Sequence, residues 1–293
     1  MTTDWKEVAW NGIRFLTPCV WEIGQIGSRH LILEEQTGPA MEVKWGSVKG
    51  GFSHQTYLKR LTALHSRQLS GKIKDWELPS DWKRTLARYE AVGFTWQKGE
   101  ESARGVILYC PVCRTATLIQ FFQHISADLM RVYHDILASY HDHHSNDRVL
   151  WAVFDVRAAL PQGLKLLRYR FDAGRFVLEF DAGKQKISLY RWAPASILLS
   201  GKNLAHFIET IPEFAEGDAH TVTIGSGNAI AGGVSPETVW QRWMSRFKFK
   251  SAYMWFRVWH IEEKNRILSV RAESKRPLDS LMLKQICNDY ESL

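Results

Sequence analysis

The chain has 293 residues, 45% of them hydrophobic and 24% charged, with a formal net charge of +7. That is ordinary for a globular protein and leaves room for two domains of about 140–150 residues each. Four cysteines do not make a disulfide framework, no apolar run approaches the ~18–20 residues that cross a bilayer, and the N-terminus lacks a secretory pattern, so a cytoplasmic protein is expected.

The charge is uneven. Residues 1–147 carry 17 Lys+Arg against 16 Asp+Glu, and residues 148–293 carry 21 against 15. A basic second half suits an acidic partner, an anionic surface or nucleic acid, or serves solubility alone.

In chain order, the first element is "GIRFLTPCVWEI" (12–23), a short strand followed by Pro18 and Trp21. It resembles the start of Mog1/PsbP-like domains. The resemblance implies an antiparallel sheet with flanking helices, and a binding or assembly-factor scaffold rather than a defined active site. The Pro-x-x-Trp has no counterpart in "LPQGLKLL" (160–167).

Next, "LILEEQTGPAMEVKW" (31–45) reads as a hairpin around Thr-Gly-Pro. "SHQTYLKRLTAL" (53–64) reads as a helix begun by Ser53, with Tyr57, Leu58, Leu61 and Leu64 at helical spacing. "DWKRTLARY" (81–89) follows, then a second hairpin at "VILYCPVCRTATLIQ" (106–120) and a closing amphipathic helix at "ADLMRVYHDILASY" (127–140).

The second half repeats this order. "LEFDAGKQKISLYRW" (178–192) matches the first hairpin at an offset of 147, setting Lys44-Trp45 against Arg191-Trp192. "SGKNLAHFIETI" (200–211) faces the first helix, "VWQRWMSRF" (239–247) shares Trp-x-Arg-x-x-x-Arg-aromatic with 81–89, and "DSLMLKQICNDY" (279–290) matches the closing helix. Four matches in one order indicate a duplicated unit. The expected fold is α+β: two tandem, duplicated domains, each an antiparallel sheet with flanking helices. The domains are 1–145 and 146–293, the second with a Gly-rich insert, and the seam lies at the polar "HDHHSNDR" (141–148).

The cysteine pair Cys110-Pro-Val-Cys113 falls on "VWHIEEKNRILSVRA" (258–272), opposite Glu262-Glu263-Lys264-Asn265, so it is expected on a hairpin turn. Three readings stand: a structural turn with free thiols, half of a zinc site completed by histidine or another chain, or a redox dithiol. Structural zinc needs four ligands and no second Cys-x-x-Cys exists; His124, His134, His141, His143 and His144 contribute only if the closing helix returns to the hairpin tip. A dithiol prefers a helix N-terminus, and this turn leads into a strand. His134 and His141 are seven apart and share a helix face, without a known ligand spacing.

"TVTIGSGNAIAGGVSPETVW" (221–240) fits neither G-x-G-x-x-G nor a nucleotide loop and reads as a flexible insert. The segment 239–260 has no acidic residue and interleaves aromatics with cations. Trp240, Arg242, Trp243, Arg246, Lys248, Lys250 and Arg257 are its candidate contacts to a protein partner or nucleic acid. The alternative is a helix and a strand with aromatics inward. No catalytic motif is present.

The leading expectation is a non-enzymatic two-domain binding protein acting as an adaptor or assembly subunit. Nucleic-acid binding through 239–260 is the second, and a metal-dependent enzyme built on Cys110, Cys113 and the histidines is the third, with zinc as the possible cofactor. Sequence leaves the oligomeric state open.

Overall fold

Among the described residues, apolar-rich runs form nineteen strands, and there are six helices. The computed structural model describes residues 4–56, 72–99, 101–122, 127–143, 147–215, 222–223, 229–234 and 253–293. The chain divides into two compact units, Met1–Ser145 with Ala152–Phe154, and Asn146–Trp151 with Asp155–Leu293. Among the described residues no helix is long and apolar enough to cross a membrane.

The first unit opens with the hairpin β1 (Trp5–Trp10) and β2 (Ile13–Pro18), turned by Asn11 (φ 45) and Gly12 (φ 99). Asn-Gly is the pair that tolerates positive φ at both centres of such a two-residue turn. Then come β3 (Glu22–Gly27), β4 (His30–Glu35), β5 (Gly38–Ser47), β6 (Lys72–Trp76), the helix α1 (Ser80–Thr85), β7 (Glu90–Lys98), β8 (Glu101–Tyr109), β9 (Thr115–Phe121) and the helix α2 (Ala127–Ser139). The strands β3 to β9 form an antiparallel sheet in the order β3-β4-β5-β9-β8-β7-β6. Its central strand β9 is covered on both faces. Ile119 and Phe121 face α2, where Phe121 stacks on Tyr133 with ring centroids 4.0 Å apart. Leu118 faces the other way, with Phe94, Trp96, Ala103 and Ile107.

The chain continues with β10 (Arg148–Val153), whose last two residues belong to the first unit, and the second unit then runs β11 (Val156–Pro161), β12 (Lys165–Asp172), β13 (Arg175–Asp181), β14 (Gln185–Trp192) and the short helices α3 (Ala195–Leu199), α4 (Leu204–Glu209) and α5 (Pro212–Ala215). It continues through β15 (Val222–Thr223), β16 (Ala229–Val234), β17 (Tyr253–Ile261), β18 (Arg266–Ser274), α6 (Ser280–Asn288) and β19 (Tyr290–Ser292). Its sheet has the order β12-β13-β14-β18-β17-β16-β15. Position for position, that is the order of the first sheet. Trp192, Phe207, Phe214 and Phe256 fill the core on the side of α3 to α5, and α6 buries Leu283 and Ile286.

The expected match between the two halves shifts by one residue when the two sheets are compared. Arg114 (φ 56) and Asn265 (φ 54) are the left-handed last residues of the β8–β9 and β17–β18 turns. Matching them sets Thr117 against Leu268. Because Trp45 pairs Thr117 and Arg191 pairs Leu268, Trp45 corresponds to Arg191, an offset of 146 rather than 147. Trp192 therefore points to the opposite sheet face from Trp45, since a slip of one residue inverts a strand. By the same match Cys110–Cys113 correspond to Ile261–Lys264, one residue earlier than the sequence alignment.

Two expectations change. Within the Gly-rich stretch, residues 229–234 are strand β16, with Gly233 opposite Trp255. A Cβ on Gly233 would lie 2.6 Å from the Met254 carbonyl oxygen, so glycine here permits a close backbone approach rather than a flexible loop. His134 and His141 do not share a helix face, because α2 ends at Ser139 and His141 forms an isolated bridge with Arg14. The segments 57–71 and 235–252, with most of the first helix and of the basic aromatic stretch, lie outside the described residues.

Candidate metal centre

The Cys110–Cys113 segment is a tight turn from β8 to β9. The Cys110 N–H donates to the Thr115 carbonyl at 2.9 Å, and the Arg114 N–H donates to the Cys110 carbonyl at 2.9 Å. Cys110 is buried, Cys113 half-buried, and Val112 between them is 78% exposed at the tip.

The segment after α2 comes to this turn by strand pairing. Arg14 in β2 exchanges backbone hydrogen bonds with His141, at 2.9 and 2.8 Å. Tyr140 is an anchor on the preceding residue: it is fully buried, its hydroxyl lies 2.6 Å from that of Thr117, and the Arg88 guanidinium donates to its carbonyl. Asp142 and His143 follow and are held beside the cysteines.

The Cys110 sulfur lies 3.7 Å from His143 Nδ1, and the Cys113 thiol donates to Asp142 Oδ2 at 3.3 Å. His143 Nδ1 is also 2.8 Å from Asp142 Oδ1. One sulfur from each cysteine, one imidazole nitrogen and one carboxylate oxygen all lie within 4.8 Å of one another. The Asp142 side chain is only 2% exposed, and the Tyr89 hydroxyl donates to it at 3.3 Å. Burial pushes the Cys113 thiol up to about 12; a bond with Thr115 opposes this and the Asp142 charge adds to it. Desolvation chiefly, with the Asp142 charge adding, likewise raises Tyr89, so its hydroxyl keeps its proton and stays a donor.

Of the histidines considered from sequence, His143 joins the cysteines. His134 instead meets the Thr85 hydroxyl at 3.0 Å, and His141 Nδ1 lies 2.9 Å from the Ser139 carbonyl. His124 and His144 lie outside the described residues. Asp142 stands in the sequence as a carboxylate beside the histidines, like Asp135, but at a spacing that matches no known ligand pattern.

Of the basic aromatic candidates, Trp240, Arg242, Trp243, Arg246, Lys248 and Lys250 lie outside the described residues. Arg257 is on β17, on the face opposite Met254, Phe256 and Val258. Its guanidinium lies 5.6 Å from the Trp259 ring centroid and bonds the Cys287 side chain, so it is half-buried inside its own unit.

No family model and no curated protein matches the chain. Among solved structures, the Ran-binding protein Mog1p of Saccharomyces cerevisiae aligns with 48% of this chain and 96% of its own, at 7% identity and a TM-score of 0.35. The immunity protein TplEi of T6SS from Pseudomonas aeruginosa aligns over 98% of this chain and 97% of its own, at 12% identity and a TM-score of 0.34. A structure of a Tle4–Tli4 complex aligns over 99% of this chain and 98% of that one, at 10% identity and a TM-score of 0.33. These are weak likenesses of fold.

Proposed function

We propose that the protein is a non-enzymatic binding protein of two tandem, duplicated α+β domains, acting as an adaptor or assembly subunit with another protein as its partner. The observation that carries this reading is a pair of exposed apolar side chains on a short hydrogen-bonded helix of the second unit. Helix α3 presents Ile197, 69% exposed, and Leu198, 40% exposed. It is tied to the β17–β18 turn through one residue. Asn265 accepts the Ala195 N–H on its carbonyl at 3.0 Å and the Ser196 N–H on its side chain at 2.7 Å, and its amide donates to the Ser196 hydroxyl at 3.1 Å. Adjacent exposed apolar side chains on a pinned helix lose little entropy on docking, which suits them as an anchor for a partner.

A second feature favours protein over nucleic acid. Arg157, Arg168, Arg175, Arg191, Arg266 and Arg271 each form an ion pair with a carboxylate of the same unit. These six arginines already have carboxylate partners, which a phosphate would have to displace. The test is capture of protein by the immobilised chain over a salt series, beside the Ile197→Asp variant, with an oligonucleotide titration in parallel. A partner retained by the wild type and lost by the variant is the expected result. A monodisperse monomer that retains nothing at low salt, or steeply salt-dependent oligonucleotide binding unaffected by Ile197→Asp, overturns the proposal.

A further inference from the structure

We infer that Cys110 and Cys113 of the β8–β9 turn, with Asp142 and His143 of the segment after α2, form a closed four-ligand zinc centre in the first unit. Two thiols and an imidazole select a borderline-soft ion such as zinc over magnesium or calcium. The spacing fits. Tetrahedral zinc with its usual bond lengths sets sulfur–nitrogen and sulfur–oxygen edges of about 3.5 Å. Here Cys110 Sγ to His143 Nδ1 is 3.7 Å and Cys113 Sγ to Asp142 Oδ2 is 3.3 Å.

The electrostatics point the same way. Asp142 is a buried carboxylate whose ion-pair partner is His143, and its other contacts are the Tyr89 hydroxyl and the Cys113 thiol. A buried carboxylate without a firm cation is costly, and a divalent ion bound directly to it supplies that cation at contact, the two thiol protons released leaving the net charge of the site unchanged. A cavity of about 100 Å³ is lined in part by Asp142, Thr115 and Arg29, and reaches the site at Asp142.

The second unit makes the same closure without a metal. Tyr290 there is the buried anchor, Glu291 pairs Arg157 in β11, and the last residues are held by Asp155, whose carbonyl accepts from the Ser292 hydroxyl at 3.1 Å and the Leu293 N–H at 2.9 Å. At the ligand positions stand Ile261, Lys264, Ser292 and Leu293. With four protein donors the zinc shell is full, so the ion is a staple between turn and closing segment, with no open position for a substrate. Binding displaces the two thiol protons to water. The inference is independent of the proposed partner.

The test is metal analysis of the purified full chain and cobalt(II) titration of the metal-stripped chain. The expected results are about one equivalent of zinc, and one cobalt bound with the visible absorption of a tetrahedral thiolate complex. Cys113→Ser removes the sulfur-to-cobalt band, and Tyr89→Phe, which deletes a hydroxyl bonded to the ligand Asp142 and to no other ligand, weakens zinc about tenfold. Less than about one tenth equivalent of zinc together with no cobalt–thiolate band in the wild-type chain overturns the inference, whether or not the variants fold. So does cobalt binding unchanged by Cys113→Ser.

Discussion

Gln120→Ala is expected to destabilise the first unit strongly, because Gln120 is the middle of a buried relay. The Trp96 indole donates to Gln120 Oε1 at 3.0 Å, and the Gln120 amide donates to Glu42 Oε2. Glu42 also meets His30 at 2.7 Å and Lys44 at 2.6 Å. Gln120 is 3% and Glu42 6% exposed, so water does not replace the lost partner. One neutral hydrogen bond is worth about 1 kcal/mol and one to a charge about 1.5–3, so the two together give a loss of about 3 kcal/mol. The assay is denaturant unfolding of both proteins at neutral pH, followed on near-UV signals. The pH dependence follows from Glu42. Burial alone would raise its pKa, but the bonds and charges of Lys44 and His30 outweigh this and hold it below 4.5. A depressed carboxylate contributes stability above its unfolded pKa and loses it as pH falls through the folded one. The difference between the two proteins should hold from neutral pH to about pH 4.5 and shrink below. A loss under about 1 kcal/mol at pH 7 refutes the relay.

Asp155 accepts from Arg191 Nε at 2.9 Å and Arg266 Nε at 2.7 Å, and Arg191 is largely buried; Asp155→Ala should cost about 3 kcal/mol in the same unfolding assay. Ile197→Ala should leave stability within about 0.5 kcal/mol of wild type while reducing partner capture, because its side chain is exposed. Glu42→Gln should flatten the acid limb of the stability curve below about pH 4.5, seen as a smaller fall in melting temperature on acidification. Zinc affinity should fall about 100-fold from pH 7 to pH 6, one decade per thiol proton, when measured against a competing chelator.

Much of the architecture was legible because its signals are local. The apolar spacing of 127–140 and 279–290 gave both closing helices, and the alternation around Gly-containing turns gave the β4–β5 and β13–β14 hairpins. The Cys-Pro-Val-Cys turn was placed by its counterpart alone. What failed depends on partners far away in the chain. Trp45 and Trp192 look equivalent as letters, but the left-handed Arg114 and Asn265 set the register and put the tryptophans on opposite faces. The glycines of 229–234 read as loop because the pressing Met254 carbonyl is contributed by another strand. Asp142 and His143 looked like a solvated seam because their position is set by pairing with Arg14, more than 120 residues earlier.

The central claim, a protein partner docking on the exposed Ile197 and Leu198, is tested most directly by a photo-crosslinking residue at position 197 of the otherwise intact chain, with position 165 on the edge strand β12 as the control. The account predicts that the captured partner crosslinks from position 197 and not from 165. A partner that is retained but crosslinks only from position 165 would contradict it.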